Sequence, residues 1–174
     1  MTRIALLVCA ALAAGCAQMG SMMGGDPKAV GKLEPTKGNS VAGTVTFVQK
    51  GDKVVISGTV TGLRPDGEHA IHVHEKGDCS SGDGMSAGGH FNPGAKPHGH
   101  YGGAERHVGD TPNIKADGYG NATVAWESDQ MKIGGGPNDI VGKGLIVHRD
   151  ADDYKSQPAG NAGPRLACAV IQKG

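Results

Sequence analysis

At 174 residues and 17.6 kDa the chain is long enough for one ordinary domain with a buried core, plus a short appendage. Lys and Arg total 17 and so do Asp and Glu, so the formal net charge is zero; this argues against a nucleic-acid partner, because phosphate binding needs a basic face. Glycine reaches 31 residues without a three-residue period and aromatics are only 3%, which points to turns and loops rather than long helices or collagen, and no segment approaches the ~20 apolar residues of a membrane-spanning helix.

The N-terminus reads as an address. Met1-Thr2-Arg3 supplies one positive charge, Ile4 to Ala14 is a short apolar run, and small residues lead to Cys16. This is the pattern of a secretory signal. Leu12-Ala13-Ala14-Gly15-Cys16 also resembles a bacterial lipoprotein box, with Ala13 where leucine is usual. The expectation is a signal peptide over residues 1–15, a lipid-bearing Cys16 with a flexible tether through residue 26, and a folded domain over 27–174. That places the domain in the bacterial periplasm, anchored to a membrane through the lipid on Cys16. The competing reading is an ordinary signal cleaved near Ala17. Of the four cysteines, Cys9 leaves with the signal and Cys16 takes the lipid, so Cys79 and Cys168 remain as a pair. An oxidising envelope permits a disulfide between them. Such a bridge would close a loop of about 90 residues, worth about 4 kcal/mol in chain entropy.

Beyond the tether the pattern is of strands and loops. Val41 to Val48 and Val54 to Val60 are β-branched runs around the turn residues Gln49 to Lys53, and predict an antiparallel hairpin. His69 to Glu75 alternates as a strand. Ile114 to Ala116 and Ala122 to Trp126 flank Asp117-Gly118-Tyr119-Gly120-Asn121 as a second hairpin. Leu145 to His148 and Arg165 to Ile171 are the last two strands. Two stretches have no periodicity, Gly77 to Asp110 and Arg149 to Pro164. A loop as long as the first is functional or tied down. Short strands at regular spacing argue for an all-β, antiparallel sandwich or barrel with two long functional loops.

Six of the eight histidines form an ordered set with Asp110. His72 and His74 stand two apart on a strand, so both imidazoles share a face and can reach one metal. His90, His98 and His107 lie in the long loop just before Asp110, and a metal could tie that loop down. His148 arrives on a distant strand. Singly each is weak, since a loop histidine is more often solvated than ligating. His69 and His100 are left over and read as structural.

The set as a whole resembles the copper/zinc superoxide dismutases. The text that carries the resemblance is His69-Ala-Ile-His72-Val-His74-Glu-Lys-Gly77-Asp78-Cys79, Ser86-Ala-Gly-Gly-His90-Phe-Asn-Pro93, His98 and Arg106-His107-Val-Gly109-Asp110. It continues with Leu145-Ile-Val-His148, Ala151-Asp152-Asp153 and Gly160-Asn-Ala-Gly163-Pro-Arg165-Leu-Ala-Cys168. The resemblance runs from about Lys28 to Gln172.

It implies a Greek-key, immunoglobulin-like β-sandwich and one copper and one zinc ion per chain. Copper would be held by His72, His74, His90 and His148, and zinc by His90, His98, His107 and Asp110, with His90 bridging as an imidazolate. Four imidazoles suit tetragonal Cu(II), and three imidazoles with a carboxylate suit tetrahedral Zn(II). Asp152 matches the carboxylate that orients ligands of both metals. Arg165 matches an anion-guiding arginine, and with His90 would be catalytic. The implied reaction is dismutation of superoxide, which would protect the envelope from oxidative damage. The family pairs differently in bacterial and eukaryotic forms, so a homodimer is admitted without its geometry. The alternative of another class is an envelope copper/zinc carrier without useful turnover, which would need neither the guiding Arg165 nor the His90 bridge.

Overall fold

A computed structural model describes residues 25–174. The expected signal peptide, the expected lipid on Cys16 and nearly all of the expected tether fall outside the described residues. Among the described residues nine strands follow in order: β1 (Lys28–Pro35), β2 (Ala42–Lys50), β3 (Lys53–Thr61), β4 (Glu68–His69), β5 (Ile71–His74), β6 (Ile114–Lys115), β7 (Ala122–Ser128), β8 (Gly144–His148) and β9 (Arg165–Lys173). Among the described residues the helical content is one 3₁₀ turn, Met85–Ala87.

Seven strands form one antiparallel sheet in the order β5-β8-β9-β1-β2-β3-β7. β1 to β3 are a meander, but the next neighbour of β3 is β7, and β8 returns between β5 and β9, so the later connections cross the ends as a Greek key does. The sheet curls into a half-barrel. Its two edges meet at one end through β4, which runs straight into β5 and pairs with β6, while β6 hairpins onto β7 through the Ala116↔Ala122 bridge. Alternate residues of the strands fill the interior: Val45 and Phe47 from β2, Val54, Ile56 and Val60 from β3, Val124 from β7 and Ile171 from β9 are buried.

Two features depart from the sequence reading. β1 (KAVGKLEP) has no counterpart in it, because its inward positions are Ala29, Gly31 and Leu33, two of which carry almost no hydrophobic signal. Gly31 is small for a packing reason: a Cβ there would lie 3.2 Å from the Leu145 side chain. The run from His69 to Glu75 is two strands broken at Ala70, whose N–H donates to Asp150 O and whose carbonyl accepts from His148 N. β2, β3, β7, β8 and β9 stand where expected, each within three residues of its predicted ends.

β5 and β8 are buried on both faces. Ile71, Val73, Leu145 and Val147 point into the main core. The alternate residues, His72 and His74 from β5 with Ile146 and His148 from β8, point outward beneath the long loops. A second, small apolar cluster of Ala87, Ile146, Cys168 and Cys79 packs on that outer face. The site is therefore built on the outside of the barrel wall.

Candidate metal centre

The loop after β5 is stitched to the strand's free edge. Phe91 N–H donates to Val73 O (2.8 Å), Val73 N–H to Gly109 O (3.0 Å) and Glu75 N–H to Gly89 O (2.9 Å). These bonds cover an edge that would otherwise present unpaired backbone. They also lay His90 beside His74 as an antiparallel bridge. A β-bulge at Val147/His148 brings His148 opposite Arg165 rather than Leu166. The Cys79–Cys168 disulfide then pins the start of the loop to β9, three residues beyond Arg165.

Two groups of donor atoms converge. The first is His72, His74, His90 and His148, the second His90, His98, His107 and Asp110, all buried, with the donor atoms of each group within 4.8 Å of one another. His90 belongs to both. Every sequence-selected ligand position falls in these groups.

The hydrogen bonds settle which nitrogen each ring offers. His74 Nδ1–H donates to Gly88 O (2.9 Å) and His148 Nδ1–H to Gly163 O (3.2 Å), which leaves both Nε2 atoms unprotonated. These two Nε2 atoms lie 3.3 Å apart, a contact that two lone pairs make only around a cation. His72 Nε2–H donates to Asp152 Oδ2 (2.9 Å), and its Nδ1 is buried without a partner. His90 Nε2 is likewise buried and unpartnered. Buried polar atoms are normally satisfied, so orphaned nitrogens converging on one point fit a metal there.

On the other side Asp110 Oδ1 lies 2.8, 3.0 and 3.2 Å from Nδ1 of His90, His98 and His107. The other carboxylate oxygen accepts from the backbone N–H of Gly99 and of His107, which fixes the group's orientation. Three imidazole nitrogens around one carboxylate oxygen is a donor set that suits a tetrahedral divalent ion. Asp152 joins the two groups, with Oδ1 3.0 Å from His98 Nε2 and Oδ2 on His72.

The protonation states of the first group fit ligand roles, and the second group holds one ring that must give up a proton to bind a metal. Burial pushes His74 and His148 well below the usual histidine range and His90 down to about 4, so their lone pairs are free at neutral pH. Burial also pulls on His98, but hydrogen bonds to Asp110 and Asp152 outweigh it and hold this ring up at about 9. For both carboxylates burial acts upward and loses to the histidine hydrogen bonds, so both lie well below the usual range.

A cavity of about 490 Å³ opens over the first group and is lined by His74, His90, His148 and Arg165. Arg165, at the start of β9, is held there by the 77–110 loop, donating from Nη1 to Gly84 O and from Nη2 to Gly88 O (both 2.6 Å). Gly88 O thus serves Arg165 and His74 together.

The two leftover histidines are structural. His69, buried, donates from Nδ1 to His148 O (3.0 Å) and so braces a group member from behind. His100 is exposed and lies against Tyr101 at a tilt and against Tyr154 edge to face. Sequence reasoning missed Asn113, Gln157 and Gly160. Asn113 clamps the backbone of Asp152 with two side-chain bonds, and Gln157 does the same to His98. A loop amide carries no signal of this in the text. Gly160 leaves the space that the Asp152–His98 contact occupies, since a Cβ there would lie 1.8 Å from Asp152 Oδ1.

A family model described as copper/zinc superoxide dismutase (SODC) matches residues 41–171. A Cu-Zn superoxide dismutase of Cordyceps militaris is 45% identical over 139 residues, covering 75% of this chain and 89% of the relative. One from Aquifex aeolicus (strain VF5) is 40% identical over 151 residues, covering 84% and 88%. Among solved structures, the clock protein EA4 superposes with a TM-score of 0.77 at 41% identity, covering 84% of this chain and 94% of the other. The family match spans every residue of both ligand groups, and the chain belongs to the copper/zinc superoxide dismutase family, as an enzyme with copper and zinc for cofactors.

Proposed function

We propose that this chain dismutes superoxide in a bacterial envelope and protects exported and membrane components there from oxidative damage. The observation that carries the reading is the pair of buried ligand groups sharing His90, the first of which opens beside Arg165 onto one cavity. His72, His74, His90 and His148 hold copper; His90, His98, His107 and Asp110 hold zinc. When bound, copper supplies a Cu(II)/Cu(I) couple through which two superoxides and two protons become one dioxygen and one hydrogen peroxide, while d¹⁰ zinc supplies charge and rigidity.

The chain's own residues do the rest. Arg165 places a guanidinium, already oriented by two carbonyls, on the cavity wall, where it attracts a small anion and offers it hydrogen bonds. His90 presents Nε2 to the cavity side and Nδ1 to the zinc side, as only an imidazole can. Its Nε2 is the atom at which a proton for the departing product is held. Asp152 fixes the ring orientation of one ligand in each group.

The test is superoxide decay by residues 17–174 loaded with one equivalent each of copper and zinc, with and without cyanide. Fast, copper-dependent, cyanide-sensitive decay is expected. Tight binding of both metals with decay no faster than buffer would establish the carrier instead. Membrane attachment is tested by labelling cells with a palmitate analogue: wild type takes the label and Cys16→Ser does not. An unlabelled wild type would return the signal to the ordinary cleaved kind.

A further inference from the structure

We propose that Gln157 is a positioning residue, locking His98 to the wall of the cavity so that the zinc side and the anion's entrance are held as one unit. The inference rests on the metal assignment above. The side-chain amide of Gln157 lies along the backbone of His98. His98 N–H donates to Gln157 Oε1 (2.9 Å), and Gln157 Nε2 donates to His98 O (2.9 Å). Engaging both backbone groups of one residue fixes its position and direction, as a rung of a β-ladder does. The ring of the same residue is gripped by Asp152 at 3.0 Å. The 149–164 loop therefore holds His98 by its backbone and by Nε2 of its ring, while Asp110 holds the ring's Nδ1 from the other side.

That loop is also the cavity wall. Gln157, Pro158, Ala159 and Asn161 line the space shared with His74, His148 and Arg165. Gln157 itself is exposed, so it contributes little to the apolar core; what it holds is His98. Gln49 offers a comparison. Its amide also clamps backbone, accepting from Ile133 N–H and donating to Gly51 O and Lys53 O, but at a hairpin far along the chain from every ligand.

The experiment uses the copper- and zinc-loaded chain. Wild type, Gln157→Met, Gln157→Ala and Gln49→Met are moved into excess chelator, and zinc release is followed with a metallochromic dye. In parallel, Co(II) replaces zinc and its visible bands are recorded. Gln157→Met keeps the volume and removes both bonds, so it serves if the alanine variant folds poorly. Zinc release is expected to speed about tenfold in both Gln157 variants, with altered Co(II) bands, the usual scale for losing a partner that orients a ligand. Gln49→Met should lower the unfolding midpoint while leaving zinc release within about twofold of wild type, as a clamp remote from the metal must. Release from Gln157→Met within twofold of wild type overturns the inference alone, and so does an equal acceleration in Gln49→Met. A wild-type chain that takes up no zinc overturns the metal assignment and this inference with it.

Discussion

Replacing Gly160 with alanine tests the packing of the site most directly. Gly160 has φ +65°, and a Cβ there would lie 1.8 Å from Asp152 Oδ1, 2.5 Å from its Cγ and 2.8 Å from His98 Nε2. Two costs add. The left-handed backbone is strained for alanine by about 1 kcal/mol. The collision is worse, because the Asp152 carboxylate can yield only by leaving His98 or His72, and a hydrogen bond to a charged group is worth about 1.5–3 kcal/mol. The expected loss is therefore about 2.5–4 kcal/mol of unfolding free energy, together with a fall of about tenfold or more in affinity for both metals. Gly51→Ala is the control: its φ is +57° and a Cβ there would meet nothing within 4 Å, so it carries the backbone cost without the collision. Denaturant unfolding and competitive metal titration on both variants give the difference. If Gly160→Ala matches Gly51→Ala within about 1 kcal/mol and keeps its metals, the geometry around Asp152 has been misread.

Other expectations follow from the same geometry. Arg165→Ala should slow superoxide decay about tenfold while copper and zinc contents stay at one each, the scale for losing local anion attraction; unchanged decay would remove Arg165 from the entrance. Cys168→Ser frees the loop that Cys79 anchors, should cost about 4 kcal/mol of stability and should lower activity by loosening Gly84 and Gly88 beneath Arg165. Full activity and metal content in that variant would refute the link. In the metal-free chain His98, held at about 9, is protonated at pH 7, and its charge stabilises the fold fully below the unfolded value near 6.5 and less as pH rises through about 9. Zinc must displace that proton, so loading at pH 7 should release about one proton per ion, fading above about pH 9; a release independent of pH would contradict it. Lys155 is the one formal charge between Asp153 and Arg165, so added salt should slow the reaction only weakly. A fall of about tenfold between low and physiological salt, as strong steering gives, would count against this.

The chemistry of the site was legible in the text because ligands must be of particular types. His72 and His74 announce a shared face by their spacing, and His90 to Asp110 announce a tied-down loop by their density. The β2–β3 hairpin was equally plain, since its alternation is carried by large β-branched residues. The strands β5 and β8 were legible as strands, but their outer faces looked like those of any half-exposed sheet until the loops were seen to cover them.

The amino-acid sequence by itself determined which side chains could hold two metals, which cysteines could pair and that the scaffold is made of strands. It did so because donor-atom chemistry and strand periodicity are properties of residue type and order. Tertiary structure alone decided the rest. It admitted β1, whose inward Gly31 makes sense only against Leu145. It chose the nitrogen each imidazole offers, through carbonyls at Gly88 and Gly163 and the carboxylate of Asp152. It gave Asn113, Gln157 and Gly160 their roles, because an amide becomes a clamp, and an absent Cβ becomes a space, only when chain remote in sequence is folded against it.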